Sequence, residues 1–226
     1  MNSILSVKNI KKSYRDGEVT VNVIHDINME LARGDFVSIQ GASGAGKSTF
    51  LSILGAILLP DSGTITINGK NLEDYSREGK IHEYRKNHIG FIFQSHYLMP
   101  DFTAMENVMI PLLMRGIKNQ AAKQKAMEIL SKVGLKERAN HYPSQLSGGE
   151  SQRVAVARAV APEPDIVLAD EPTGNLDSHN KKIFIQVLED LQKSRDLTVL
   201  VVTHEQDLAA AAGRRYFMKD GYLSQM

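Results

Sequence analysis

The 226-residue chain has no cysteine, no excess of charge of one sign and no apolar run of membrane length. Without cysteine, disulfides and thiolate metal sites are excluded, and the composition is compatible with a reducing compartment. Lysine and arginine number 27 against 26 acidic residues, a formal net charge of +1, so no global field argues for nucleic acid or anionic lipid as a partner. Apolar runs such as residues 53–59 fall far short of the roughly 20 residues that span a bilayer. The N-terminus Met1-Asn2-Ser3-Ile4-Leu5-Ser6-Val7-Lys8 lacks the apolar core of a secretory leader. Any membrane role is therefore expected to come through a partner. Internal repeats, low-complexity segments and an obvious linker are also missing, so residues 1–226 are expected to fold as one unit.

What is present begins with β-branched, partly alternating segments over residues 4–14 and 19–31, separated by Arg15-Asp16-Gly17-Glu18, which read as strand, turn, strand. Residues 36–40 form a further strand. It runs into Gly41-Ala42-Ser43-Gly44-Ala45-Gly46-Lys47-Ser48-Thr49 and then an apolar helix expected over residues 50–59. The loop matches G-x-x-x-x-G-K-[ST] from Gly41 to Ser48. Backbone N–H groups of such a loop wrap phosphate oxygens, Lys47 neutralises the outer phosphates and the Ser48 hydroxyl ligates Mg²⁺. A chance match in a chain of this length is on the order of one in a hundred, and the flanking strand and helix reduce it further. Nucleotide binding is expected.

Pro60-Asp61-Ser62-Gly63 breaks that helix, a strand over 64–67 turns at Asn68-Gly69, and residues 72–87 read as helical or loop-like. The buried strand 89–93 ends at Gln94, a polar side chain at a strand's carboxyl end, where α/β sheets carry ligands. Helical periodicity then takes over, clearest at 121–133, and marks an inserted helical subdomain at about residues 95–162. Met99, Met105, Met109 and Met114 fall at its beginning, where soft side chains suit either a core or an adaptable docking groove.

Near the end of that insertion lies Leu146-Ser147-Gly148-Gly149-Glu150. Ser147 and Glu150 have capping-box spacing, so a helix starts here, yet each intervening glycine is about 1 kcal/mol worse than alanine in a helix. These residues alone fit either a tight turn or an anion site at a helix start. Beyond them, the apolar strand 165–169 exits into Asp170-Glu171, two carboxylates that need a cationic recipient, for which Mg²⁺ is the natural choice. Pro172 stops the strand and Thr173-Gly174-Asn175-Leu176-Asp177 turns into a helix over 178–193. A last parallel strand, 198–203, ends at His204, and residues 214–224 read as a hairpin turning at Asp220-Gly221.

The glycine loop, Gln94, Leu146 to Glu150, Asp170-Glu171, Asp177 and His204, in this order, resemble the nucleotide-binding domain of ATP-binding-cassette transporters over essentially the whole chain. The resemblance implies an α/β fold: a P-loop NTPase parallel sheet core, an N-terminal antiparallel β subdomain and an inserted α-helical subdomain. It implies that Ser147, Gly148, Gly149 and Glu150 are the signature motif, Gln94 the Q-loop, Asp177 the D-loop aspartate and His204 the switch histidine. Tyr14 is similar to the aromatic that stacks on adenine. Mg²⁺ would be held by Ser48, Asp170 and Gln94, and Glu171 would take the proton of the attacking water, with His204 and Gln94 completing the catalytic set. The signature of one copy would face the ATP of a second copy, and separate transmembrane permease subunits would complete the assembly at the cytoplasmic face of the inner membrane, with no nucleic acid.

Thr173 to Asp177 is similar to the branch containing lipoprotein-release, macrolide-efflux and cell-division ATPases. His96-Tyr97-Leu98-Met99-Pro100-Asp101-Phe102-Thr103-Ala104-Met105-Glu106-Asn107-Val108 and Ala139-Asn140-His141-Tyr142-Pro143 are similar to the lipoprotein-release members. The leading expectation is thus an ATPase that drives lipoprotein release from the inner membrane. An efflux or cell-division ATPase is the alternative within the class. A soluble ATPase acting on ribosomes or DNA would carry two cassettes or a long coiled-coil insertion, and this chain has neither. A non-catalytic binding module disagrees with the intact Glu171 and His204.

Overall fold

The computed structural model describes residues 3–17 and 19–226, so Glu18, the last residue of the expected first turn, lies outside the described residues, as do Met1 and Asn2. The chain opens with β1 (Ser3–Asp16), β2 (Val19–Ala32), β3 (Phe36–Gln40), α1 (Lys47–Leu54), β4 (Ser62–Ile67) and β5 (Lys70–Asn71). It continues through α2 (Leu72–Arg77), α3 (Ile81–His88), β6 (Ile89–Phe93), α4 (Ala104–Met114), α5 (Asn119–Lys132), two 3₁₀ turns (Lys136–Arg138 and Pro143–Gln145) and α6 (Gly148–Val160). It closes with β7 (Ile166–Asp170), α7 (Ser178–Arg195), β8 (Thr198–Val202), α8 (Gln206–Ala211), β9 (Arg214–Lys219) and β10 (Tyr222–Gln225).

Among the described residues two sheets result: an antiparallel one in the order β2-β1-β4-β5 and a larger one in the order β10-β9-β3-β8-β7-β6. In the second, β9, β3, β8, β7 and β6 run parallel to their neighbours, and β10 closes the edge as an antiparallel hairpin arm. The apolar runs of β7 and β8 explain their central place, because a strand covered on both faces has no polar side to show. Alternate residues feed different cores. Ile166, Leu168, Leu200 and Val202 pack with Phe50, Leu51 and the antiparallel sheet, whereas Val167, Ala169, Val199 and Val201 pack with α4 to α7. Each valine, leucine or isoleucine among them contributes about 1.5–3 kcal/mol on full burial, so the period of two anchors the sheet between two layers.

The register positions the chemistry. Phe93 pairs with Asp170, Asp170 with Val202, and Val202 with Ile39. The residues that follow these strand ends, namely Gly41, Gln94, Glu171 and the Thr203-His204 pair, therefore emerge along one edge.

Some boundaries differ from expectation. The helix expected over 50–59 is α1, which begins at Lys47 because Phe50 N–H already bonds the Gly46 carbonyl at 2.9 Å. It stops at Gly55, where a Cβ would stand 2.0 Å from the Phe91 ring, and Ala56 turns to φ 54°. The rest of that apolar run is partly exposed at Ile57 and Leu59. Residues 72–87 resolve into two helices, and β1 extends through Asp16, past the expected end at Tyr14. The hairpin turns at Asp220 (φ 47°) and Gly221 (φ 78°) as expected, but its arm β9 also joins β3, which the sequence does not reveal. Of the four methionines, Met105 and Met109 are core, and Met99 and Met114 are exposed.

Candidate active site

The glycine loop leaves β3 and delivers the chain into α1 through Gly46, whose φ of 100° is a conformation that side chains disfavour. α1 has no side-chain cap and no acidic residue in its first turn, so its leading N–H groups and the positive end of its dipole face outward. Lys47 is buried, and its ammonium donates to the carbonyls of Gly41 and Ala42, both at 2.9 Å. Among the described residues it makes no ion pair. A buried cation held only by carbonyl dipoles, beside uncapped N–H groups, is a site for an anion.

Around it is an open cavity of about 530 Å³ lined by Gly41, Ser43, Gly44, Gly46, Lys47, Ser48, Thr49, Val23, Glu171 and His204. Ser48 donates from Oγ to Asp170 at 3.1 Å. Burial raises the Asp170 carboxyl above the usual range, and the neighbouring Glu171 adds to the rise while Ser48 and Lys47 oppose it. A half-hidden carboxylate short of positive partners, next to a hydroxyl, is the oxygen donor set that Mg²⁺ takes when phosphates and waters supply its other ligands. Among the described residues no three His, Asp or Glu side chains gather to hold a metal unaided.

Glu171 sits at φ 45°, a left-handed conformation that costs of order 1–3 kcal/mol. It is held there by its N–H on Val202 O at 2.9 Å and its carbonyl on Gly174 N–H at 3.1 Å. The twist aims its carboxylate at His204, whose Nδ1 lies 2.9 Å and whose backbone nitrogen lies 3.2 Å from Oε2. A carboxylate accepts, so Nδ1 carries the proton in this pair.

The other sequence-derived residues lie outside this cavity. Gln94 is exposed at the rim, where Nε2 donates to Asn175 Oδ1 and Asn175 Nδ2 donates to the Gln94 carbonyl, both at 3.3 Å; the chain alone does not bring its side chain to the Ser48–Asp170 pair. Tyr14 is an exposed residue of β1 with Lys12 Nζ 5.8 Å from its ring centroid, and the cavity reaches Val23 rather than Tyr14. Ser147 caps α6 in a complete capping box, its Oγ accepting from Glu150 N–H at 3.2 Å and Glu150 accepting Ser147 N–H at 2.8 Å. That backbone bond, aided by Arg138, holds the Glu150 carboxyl below its ordinary range. Asp177 caps α7, and the backbone and side-chain bonds from Asn180 lower its carboxyl too.

The two signature glycines separate. Gly148 is exposed, and a Cβ on it would meet nothing within 4 Å. Gly149 is buried, and a Cβ there would stand 2.1 Å from Asn180 Oδ1. Gly149 therefore has a reason to be glycine inside its own chain.

Sequence reasoning missed Val23, Asn175, Asn180, Gln152 and Arg158. The buried Gln152 donates to Phe93 O at 3.0 Å and binds His96 Nδ1 at 2.7 Å, while Arg158 donates to the carbonyls of Tyr97 and His96 at 2.6 and 2.7 Å. The segment after Gln94 is therefore tied to the signature helix. Only Asn180 left a local signal, as the third helical residue after an aspartate cap.

Comparison with known proteins agrees with this geometry. The profile described as ABC transporter matches residues 24–174. The lipoprotein-releasing system ATP-binding protein LolD of Bacteroides fragilis is 46% identical over 218 residues, covering 96% of this chain and 99% of that protein. LolD of Geobacter metallireducens is 45% identical, covering 98% of each. A dimeric ATP-binding cassette in a post-hydrolysis state with ADP and Pi superposes with a TM-score of 0.88 at 38% identity, covering 98% of both chains. A cassette of the cbiONQ complex from Clostridium perfringens gives 0.88 at 29% identity, covering 99% of this chain and 88% of that one. With the phosphate loop, the paired carboxylates and the capped glycine helix in the family's order, the chain belongs to the ABC transporter family as an ATP-binding cassette.

Proposed function

We propose that this cassette is the ATP-hydrolysing subunit of a lipoprotein-releasing transporter. The observation that carries the catalytic reading is the cavity in which the uncapped start of α1 and Lys47 face Glu171 and His204. The ATP phosphates occupy the glycine loop, and Lys47 exchanges the Gly41 and Ala42 carbonyls for phosphate oxygens. Mg²⁺, held between Ser48 and Asp170 with Gln94 brought in from the rim, would offset charge on the phosphates. Glu171 accepts the proton of the attacking water as its oxygen bonds the γ-phosphorus and the bond to the bridging oxygen breaks, releasing ADP and phosphate. His204 keeps Glu171 oriented through Nδ1–H before ATP binds and turns that donor to the γ-phosphate once ATP is in place. Tyr14 borders the adenine.

Ser147 to Glu150 line no part of the cavity, which supports a composite site: this motif and Asp177 complete the ATP site of a second copy. The segment of about residues 95–162 acts as the signature subdomain. Its surface carries exposed Tyr97, Met99, Phe102 and Met114; Met114, with Phe91, Phe93, Ile110 and Pro111, lines a groove of about 270 Å³, and Tyr97 packs on Phe93, and there the permease subunits dock. Among the described residues no helix is long and apolar enough to cross a membrane; the lipoprotein-releasing relatives support a peripheral place on the cytoplasmic face of the inner membrane. The relatives' names support the cargo. The test is copurification from detergent extract followed by lipoprotein release from proteoliposomes: Mg²⁺-ATP should drive release with a membrane partner bearing large periplasmic domains. Absence of Mg²⁺-dependent hydrolysis with the partners bound would end this reading.

A further inference from the structure

Asn180, the third residue of α7, is bonded to both oxygens of one carboxylate. Its N–H donates to Asp177 Oδ1 at 2.9 Å and its Nδ2 to Asp177 Oδ2 at 2.7 Å. The same amide fills the volume a side chain on Gly149 would need: its Oδ1, Cγ and Cβ lie 2.1, 2.4 and 3.0 Å from that Cβ position. One side chain thus bridges the cap of α7 and the first turn of α6, while Asp177, Ser147 and Gly148 on either side are all exposed.

We propose that Asn180 is a positioning residue that fixes Asp177 and the signature helix to each other, and that Gly149 is glycine because of Asn180. The second copy then meets one unit rather than two independently moving elements. This rests on the composite-site reading above. An alanine at Gly149 favours the helix by intrinsic propensity, so any harm it does comes from displacing the Asn180 amide and, with it, Asp177. Glycine at 180 removes the amide but keeps the backbone N–H that Asp177 caps.

The experiment uses the full chain in a Glu171→Gln background and compares Gly149→Ala, Asn180→Gly and the double variant. Three quantities are read: thermal midpoint, ATP affinity of the monomer, and ATP-dependent dimerisation by light scattering. Gly149→Ala should lower the midpoint and weaken dimerisation by about tenfold or more at unchanged monomer affinity, and adding Asn180→Gly should bring the midpoint back to that of Asn180→Gly alone and dimerisation back to the several-fold loss of that single variant. Asn180→Gly alone should weaken dimerisation several-fold at unchanged monomer affinity, a change that loss of stability alone would not produce. A double variant as defective as Gly149→Ala in both midpoint and dimerisation overturns the proposal. If the Glu171→Gln parent forms no ATP-dependent dimer, the composite-site reading fails instead, and the coupling between 149 and 180 is still decided by the midpoints.

Discussion

The carboxylate of Glu171 is held by two donors of one residue, Nδ1 of His204 at 2.9 Å and the His204 backbone nitrogen at 3.2 Å. The backbone donor survives any substitution at 204 except proline, whereas the carboxylate does not survive Glu171→Gln. An ordered pair of effects follows. Glu171→Gln should bind ATP normally and lose about 10²- to 10⁴-fold in turnover, the usual contribution of a positioned base. His204→Ala should lose less, about 10- to 100-fold, as for other groups that orient a catalytic partner. Phosphate release at saturating Mg²⁺-ATP measures both, and the reverse order would mean that His204 is the base.

The glycine loop and the Asp170-Glu171 pair were legible because their chemistry is local: a strand end, a run of bare backbone, two adjacent charges. Gln94 was legible as a strand end, but its bond to Asn175 depends on register between β6 and β7. The end of α1 is not legible because hydrophobicity continues to Leu59, while the chain leaves the helix at Gly55 and Ala56 (φ 54°), and what keeps position 55 glycine is Phe91 from another strand. Gly149 shows the same limit. Its neighbour Gly148 has the same sequence environment, and only the packing of α7 distinguishes them.

Asp170 carries a stability cost that its proposed role explains. Burial, with Glu171 alongside, raises its carboxyl, so the folded chain holds that proton more readily than the unfolded one. Its contribution is favourable below the ordinary carboxylate range and turns unfavourable as pH rises through the raised value. At pH 7, without nucleotide, Asp170→Asn should therefore raise the thermal midpoint, since asparagine still accepts from Ser48 and brings no charge. Mg²⁺-dependent turnover should be lost in the same variant. A lowered midpoint at pH 7 would mean that the carboxylate is stabilising as an ion.

Tyr84 is fully buried, and its hydroxyl donates to the carbonyl of Leu54, the last residue of α1, at 2.7 Å. Tyr84→Phe leaves that carbonyl unpaired, at about 1–3 kcal/mol, and each kcal/mol lowers the midpoint of a chain this size by about 2–4 °C. Hydrolysis below the transition should be preserved, because the start of α1, where the phosphates are proposed to bind, is at the opposite end of the helix. Thermal unfolding with parallel ATPase assays separates the two outcomes.

Gly148 gives the sharpest separation of folding from function. Open space surrounds its Cβ position, and glycine in a helix is up to about 1 kcal/mol worse than leucine. The isolated chain should therefore tolerate Gly148→Leu, with an unchanged or slightly raised midpoint and ordinary ATP affinity as a monomer. If the exposed backbone at 148 exists to approach a nucleotide held by a second copy, the same substitution must block closure. ATP-dependent dimerisation in the Glu171→Gln background should then disappear, as should the steeper-than-linear rise of wild-type turnover with enzyme concentration. Light scattering and dilution kinetics read these directly. A Gly148→Leu chain that dimerises and hydrolyses normally would return Ser147 to Glu150 to the status of a capped helix start with one spare glycine.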